Sequence, residues 1–303
     1  MSVRLGLLNL LFRLVEKPAL LRIKEPAVAR RRFEVQARRF FRRVPGSIFR
    51  PDALAFSGKT VPGLWVERRD TGSKGVLLFF HGGAFVQGSA RTHSRMVAAL
   101  VRRARVRAFL PDYRLAPEHP FPAAFDDAVI AYRALLEAGF TGPQIALGGD
   151  SAGGGLALAL LHRICSDELP RPACLIAFSP WTDLTLSGGS LRSNAARDPL
   201  LPAERLVEVR DMYVKPDRAR DPRASPLFGF AGKAPPVLTQ VGSTEILLDD
   251  SIRMARRLEE TGTDVTLGIW PSVPHVWQLL HGWIPEAGAA LDNAAGFLAL
   301  HLK

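Results

Sequence analysis

The run Gly149-Asp150-Ser151-Ala152-Gly153 closes an apolar stretch and leads at once into Leu156-Ala-Leu-Ala-Leu-Leu161. A serine hydroxyl is a poor nucleophile unless the chain exposes and activates it. A Gly-x-Ser-x-Gly segment between a strand and a helix exposes it on a sharp turn, which only small flanking residues allow. The same turn aims the first amides of the helix at the group under attack. A phosphate loop would need Lys and then Ser or Thr after its glycines, and Leu156 follows Gly155 instead. The chemistry this segment suggests is attack by Ser151 on a carbonyl carbon. That reaction also needs a base, an acid to orient the base, and donors for the oxyanion.

On scaffolds with such an elbow the acid and then the histidine follow the serine along the chain. His162 lies within the helix that the elbow opens and cannot reach back to Ser151. His281 falls in a helix pattern, and His301 sits at the far end of the chain. His275 follows the apolar run Val265–Ile269 by a short loop and is the expected base. Candidates for the acid are Asp183, Glu245, Asp249 and Asp250. Glu245 stands first, because it comes just after the run Val237–Val241. Thirty positions separate Glu245 from His275, which leaves room for one helix and one strand. Asp183 is second. Asp250 opens a helix pattern, where a carboxylate caps free amides. For the oxyanion, His81-Gly-Gly-Ala-Phe85 follows the run Gly75–Phe80. Paired glycines let amides approach a ligand without a Cβ in the way. Gly82, Gly83 and Ala152 are the expected donors.

These residues need a scaffold that brings strand ends to one edge. From about residue 60 onward, strand patterns alternate with helix patterns. The expected strands are 64–67, 75–80, 106–110, 144–147, 174–178, 237–241 and 265–269. The expected helices are 93–104, 123–138, 152–166, 249–261 and 285–301. This rhythm predicts an α/β fold with a mostly parallel sheet and helices on both faces. Runs such as Val76-Leu-Leu-Phe-Phe80 fit strands buried on both sides. The rhythm breaks over residues 184–226, a stretch rich in Pro, Arg, Asp and Ser with one helix pattern at 202–214. Such a break suggests an insertion over the strand ends, where ligands bind.

Charge divides the chain unevenly. The net charge is +11, yet residues 1–50 carry 13 Lys and Arg against 3 Glu, a net of +10. The reading preferred for this segment is a pair of amphipathic helices whose apolar side packs on the main domain. Peripheral contact with a membrane surface or an acidic partner is the alternative. No nucleic-acid-binding module is recognisable. No apolar run approaches the roughly 18 residues of a membrane span. The short run Leu5–Phe12 lacks the cleavage site of a secretory signal. Two cysteines, Cys165 and Cys174, in apolar contexts suggest buried free thiols. A cytoplasmic location is expected.

The segments His81-Gly-Gly-Ala84, Asp112-Tyr-Arg-Leu-Ala-Pro-Glu118, Gly149-Asp-Ser-Ala-Gly-Gly154 and His275 together resemble the hormone-sensitive-lipase-like branch of the α/β-hydrolase superfamily, the bacterial family IV carboxylesterases. The resemblance implies an eight-stranded, mostly parallel sheet. It implies N-terminal cap helices over 1–50, a catalytic domain over 51–303, and a cap insertion within it at about 184–226. It implies hydrolysis of short-chain acyl esters through an acyl-enzyme. Ser151 is then the nucleophile, Glu245 the acid and His275 the base, with Gly82, Gly83 and Ala152 around the oxyanion. No metal or other cofactor is implied, the partner is a small-molecule ester, and relatives commonly pair as homodimers through an edge strand. The chain departs from the family in reading Glu245-Ile-Leu where Asp-Pro-Leu is usual, which keeps Asp249 in view, and in having Ala84 where a third glycine is frequent. Phe85, Trp181 and Trp277 are expected as walls of an acyl or alcohol pocket, with a place in the core as the alternative. Lactone hydrolysis or arylformamidase-like amide cleavage would use the same residues. A ligand-binding protein on this scaffold would be expected to lack the serine or the histidine.

Overall fold

The computed structural model describes residues 2–69 and 75–302. Eight strands form one sheet: β1 (Ser47–Phe56), β2 (Lys59–Arg68), β3 (Val76–Phe80), β4 (Arg107–Pro111), β5 (Ile145–Asp150), β6 (Cys174–Phe178), β7 (Val237–Gly242) and β8 (Val265–Trp270). Their order is β1-β2-β4-β3-β5-β6-β7-β8. The β1–β2 and β2–β4 pairs are antiparallel, and every later pair is parallel. Helices precede and punctuate them: α1 (Val3–Leu11), α2 (Lys17–Arg22), α3 (Pro26–Phe40), α4 (Ala90–Ala104), α5 (Ala123–Glu137), α6 (Ala152–Ser166), α7 (Ser190–Ser193), α8 (Leu206–Tyr213), α9 (Leu248–Glu259) and α10 (Pro285–His301).

The uninterrupted apolar run of β3 is explained by two cores. Leu78 and Phe80 face one core with Tyr132 of α5, Leu160 of α6 and Leu258 of α9. Leu77 and Phe79 face the other with Leu100 of α4 and Leu298 of α10. Alternate side chains thus meet apolar partners on both faces, so no position favours a polar residue.

Strand β1 has no counterpart among the strands expected from periodicity. It is exposed at nearly every position, with Leu54 its one buried side chain, so it lacks the apolar alternation that marks a strand. Pro51 and its charged neighbours suit an edge, which needs no second ladder. Ser57 and Gly58, both at positive φ (51° and 73°), close the hairpin to β2. Residues 47–50, read by composition with the N-terminal helices, lie in this strand.

The N-terminal segment is helical, but its apolar side does not all turn inward. Leu5 and Ala37 are its buried apolar residues, while Val3, Leu7, Leu10, Leu11, Leu14 and Val15 are exposed. The expectation of a packed apolar face holds for α3, where Ala37 is buried and Phe33 meets His93 of α4, and is corrected for residues 3–15: periodicity shows which residues share a side, not which side is covered. The chain between β6 and β7 holds α7, α8 and short 3-10 turns. The N-terminal helices meet it directly. Arg13 donates to the carbonyls of Ala196 and Arg197, and Lys17 to those of Ala195 and Asp198. Among the described residues no helix is long and apolar enough to cross a membrane.

Candidate active site

Ser151 stands between β5 and α6 with φ 52° and ψ −123°, a conformation that L residues rarely adopt. The surrounding backbone fixes it. Its N–H donates to the Phe178 carbonyl at 2.8 Å, and its own carbonyl accepts from Trp181 at 2.9 Å and Gly155 at 3.1 Å. The flanking glycines are sterically required. A Cβ on Gly149 would run into the carbonyl of Gly153, and one on Gly153 into the carbonyls of Phe80 and His81.

The parallel sheet brings two later strand ends to the same edge. His275 follows β8 and Glu245 follows β7. His275 Nε2 lies 2.8 Å from Ser151 Oγ, and its Nδ1 lies 2.7 Å from Glu245 Oε2. Glu245 is fully buried. Its Oε1 accepts from the Gly242 N–H at 2.6 Å and from Ser179 Oγ at 2.8 Å. Ser179, absent from the sequence reading, therefore helps aim the carboxylate, and its Oγ accepts in turn from the Val276 N–H at 3.3 Å. Its only sequence signal is its place directly after β6, at the edge where the site gathers.

Electrostatics support a base that is oriented yet titratable. Burial pushes the His275 imidazole down, because it disfavours the charged ring. The hydrogen bond and charge of Glu245 outweigh this, so its pKa is raised overall. The other carboxylates considered for the acid are engaged elsewhere. Asp183 binds Thr185, Ser187 and Arg253. Asp249 accepts from the Ser190 N–H, and Asp250 from the amides of Thr182 and Asp183. Of the other histidines, His162 Nδ1 accepts from the Phe230 N–H, and His281 is buried with its Nε2 unpaired among the described residues.

The donor set differs from the expected one. The Gly82 N–H points to Asp150 Oδ1 at 3.1 Å, so Gly82 is not free to serve an oxyanion. A Cβ at Gly82 would overlap Asp150 Oδ2, so this glycine makes room for the carboxylate. The next two amides, of Gly83 (φ 122°) and Ala84 (φ 55°), have no hydrogen-bond acceptor among the described residues. Ala152 opens α6, and its N–H has no intrahelical partner. The free amides are therefore those of Gly83, Ala84 and Ala152. Buried side chains hold the loop from beneath. His93 Nε2 meets Asp150 Oδ2 at 3.2 Å, and Tyr113 Oη donates to the His81 carbonyl at 2.6 Å. Burial pushes His81 down to about 3. Its ring is thus neutral and stacks on Tyr113 with centroids 4.2 Å apart.

The three aromatic residues expected at a pocket separate. Phe85 continues the donor loop and stacks flat on Tyr213 of α8, centroids 3.8 Å apart. Trp181 is buried in the larger core beside the elbow, its N–H on Ser151. Trp277 lies elsewhere. It packs with Leu5 of α1 and with Ala287 and Ala290 of α10, and its indole N–H donates to the Glu286 carbonyl. It fills the seam under the N-terminal helix instead of facing Ser151. Among the described residues no three His, Cys, Asp or Glu side chains are grouped to hold a metal ion.

Comparison with known proteins bears on the fold and the reaction class. A family described as alpha/beta hydrolase fold matches residues 77–279. An acetyl-hydrolase of Streptomyces hygroscopicus is 40% identical over 223 residues, covering 74% of this chain and 75% of the relative. An esterase of Acinetobacter venetianus is 41% identical over 223 residues, covering 73% and 74%. The crystal structure of an esterase from the bacterial hormone-sensitive lipase family superposes with a TM-score of 0.91 at 36% identity, covering 100% of this chain and 99% of that one. The chain belongs to the α/β-hydrolase fold, in its hormone-sensitive-lipase-like branch, and is a carboxylic ester hydrolase.

Proposed function

We propose that the chain cleaves short-chain acyl esters through a covalent acyl-enzyme, with Ser151, His275 and Glu245 as nucleophile, base and orienting acid. The observation that carries this reading is the pair of contacts through one imidazole, 2.8 Å to Ser151 Oγ and 2.7 Å to Glu245 Oε2. Ser151 Oγ bonds to the acyl carbon as His275 Nε2 takes its proton, and the carbonyl oxygen becomes an oxyanion. The amides of Gly83, Ala84 and Ala152 stabilise that charge. Collapse breaks the bond to the alcohol oxygen, which leaves with the proton held on Nε2. Water, deprotonated by the same nitrogen, then releases the acid and restores Ser151. Glu245 keeps the Nδ1 proton in place and stabilises the imidazolium.

A short acyl group is favoured by the name of the acetyl-hydrolase relative. In this reading the N-terminal helices and the β6–β7 insertion form the cap. The bonds of Arg13 and Lys17 to that insertion support this, as do those of Arg30 to the Val86 and Ala116 carbonyls beside the donor loop. The Phe85–Tyr213 stack then walls the pocket. Two free thiols, Cys165 and Cys174, suit a cytoplasmic enzyme. The test is hydrolysis of p-nitrophenyl acetate, butyrate and octanoate, with a lactone and an anilide in the same panel. Wild type should prefer the two short esters, and Ser151→Ala should lose at least about 10³-fold in kcat. Equal rates for the two proteins would overturn the mechanism, and faster turnover of the lactone or anilide would overturn the substrate class.

A further inference from the structure

Residues 3–22 form one continuous helical rod, α1 and α2 joined by a π-type turn at Phe12–Glu16. Pro18 has no N–H to offer the Leu14 carbonyl, and the Lys17 N–H reaches back five residues to Phe12 instead. At 1.5 Å per residue the rod is about 30 Å long. One side is fastened down. Leu5 is fully buried. Asn9 Nδ2 donates to the Ser272 carbonyl, and Ser2 donates through both N and Oγ to Glu286. The opposite side carries Val3, Leu7, Leu10 and Leu14, at 82%, 65%, 53% and 68% exposure. Their spacing of four, three and four residues is one helical stripe. Amphipathicity is thus inverted: the polar anchors face the protein and the leucines face out.

The occupant of this stripe must also suit the charge around it. Arg4 flanks the stripe at its start, Arg22 closes the far end of the rod, and Lys24 lies just past it. All three are exposed, and none forms an ion pair among the described residues. The rod itself holds Arg4, Arg13, Lys17 and Arg22 against Glu16, a net of +3. A second copy docked face to face would bring an equal positive charge against it. A negatively charged surface would be attracted instead.

We propose that the outward face of this rod docks on an anionic lipid bilayer, with the leucine stripe entering the interfacial zone and Arg4, Arg22 and Lys24 over the headgroups. Docking does not depend on the proposed catalytic mechanism. The test is co-sedimentation of the full chain with phosphatidylcholine vesicles, with and without 30% phosphatidylglycerol, at low and high salt. Anionic vesicles should bind the protein at least about tenfold more tightly than neutral ones, and salt should weaken the binding. The variant Leu7→Ser with Leu14→Ser should bind at least about tenfold more weakly. Arg22→Gln with Lys24→Gln should lose about fivefold per charge, from roughly 1 kcal/mol each. Both should unfold in urea at the wild-type midpoint, which shows that the rod stays seated. Ser151→Ala should bind vesicles like wild type, so docking and catalysis can fail separately. Failure of wild type to bind anionic vesicles at low salt would overturn the proposal. So would binding that is unchanged in the leucine variant. Self-association that disappears in the leucine variant, with no vesicle binding, would assign the face to a second copy.

Discussion

Replacing Glu245 by glutamine tests whether the acid acts by fixing the imidazole tautomer. The side chain keeps its shape, so the outcome depends on which way the new amide faces. Oε1 accepts from the Gly242 N–H at 2.6 Å and the Ser179 hydroxyl at 2.8 Å. An NH2 group there would oppose the Gly242 donor in a buried site, at a cost of about 1–3 kcal/mol for the group left unsatisfied. The amide oxygen therefore stays at the Oε1 position, and the NH2 turns toward His275 Nδ1. That nitrogen must then accept, which moves the ring proton to Nε2, facing Ser151 Oγ. The base has no lone pair left for the serine proton. Comparable loss of tautomer control in a Ser-His-Asp protease costs about 10⁴ in kcat, or about 5.5 kcal/mol of barrier. A second consequence concerns pH. Imidazolium cannot accept a proton, so kcat/KM should rise with pH through the His275 titration. Glu245 raises that pKa and burial lowers it. Removing the carboxylate charge should move the acid limb of the residual activity to lower pH. The assay is p-nitrophenyl butyrate hydrolysis across pH, with a urea titration to show that the fold persists. A glutamine variant within tenfold of wild type, or one whose acid limb stays in place, would refute the reasoning.

Two further outcomes concern stability. Gly153→Ala would drive a Cβ into the carbonyls of Phe80 and His81. Fixed backbone on both sides leaves no route for relief, so the variant should lose more than about 3 kcal/mol; an unchanged urea midpoint would show that the turn can open. Asp250 is lifted from 3.8 to about 7 by burial, so between those values the folded protein holds a proton that the unfolded chain has released. Stability should therefore fall as pH rises across that window. Asp250→Asn keeps an acceptor for the Thr182 and Asp183 amides and should flatten the slope, checked by urea unfolding below, within and above the window. A slope as steep as wild type would place its source elsewhere.

The scaffold was legible where burial writes a repeated pattern. Strands β3 to β7 are apolar because helices cover both faces, while β8 closes the far edge half-exposed, and the order of these strands along the chain already separated Ser151, Glu245 and His275 by the right elements. Strand β1 escaped because an edge strand with one buried side chain carries no such pattern. Trp277 misled because its closeness in sequence to His275 says nothing of direction: two residues on, the chain has turned toward α10. The N-terminal leucines misled in the same way, since a helical period fixes a face but not its neighbour.

Gly82 shows a different limit. The residues His81-Gly-Gly announce room for a donor, but which amide is free depends on what folds beneath it. The deciding group is Asp150, the first variable position of the Gly-x-Ser-x-Gly turn. One of its oxygens binds the Gly82 N–H and the other meets His93 of α4. The residue next to Ser151 thus sets the position of the loop that carries the free amides. The turn at Ser151 and the loop at Gly83-Ala84 are tied through this one carboxylate. A shift of either would displace the other, so in the proposed mechanism attack and charge stabilisation would be lost together, not one at a time.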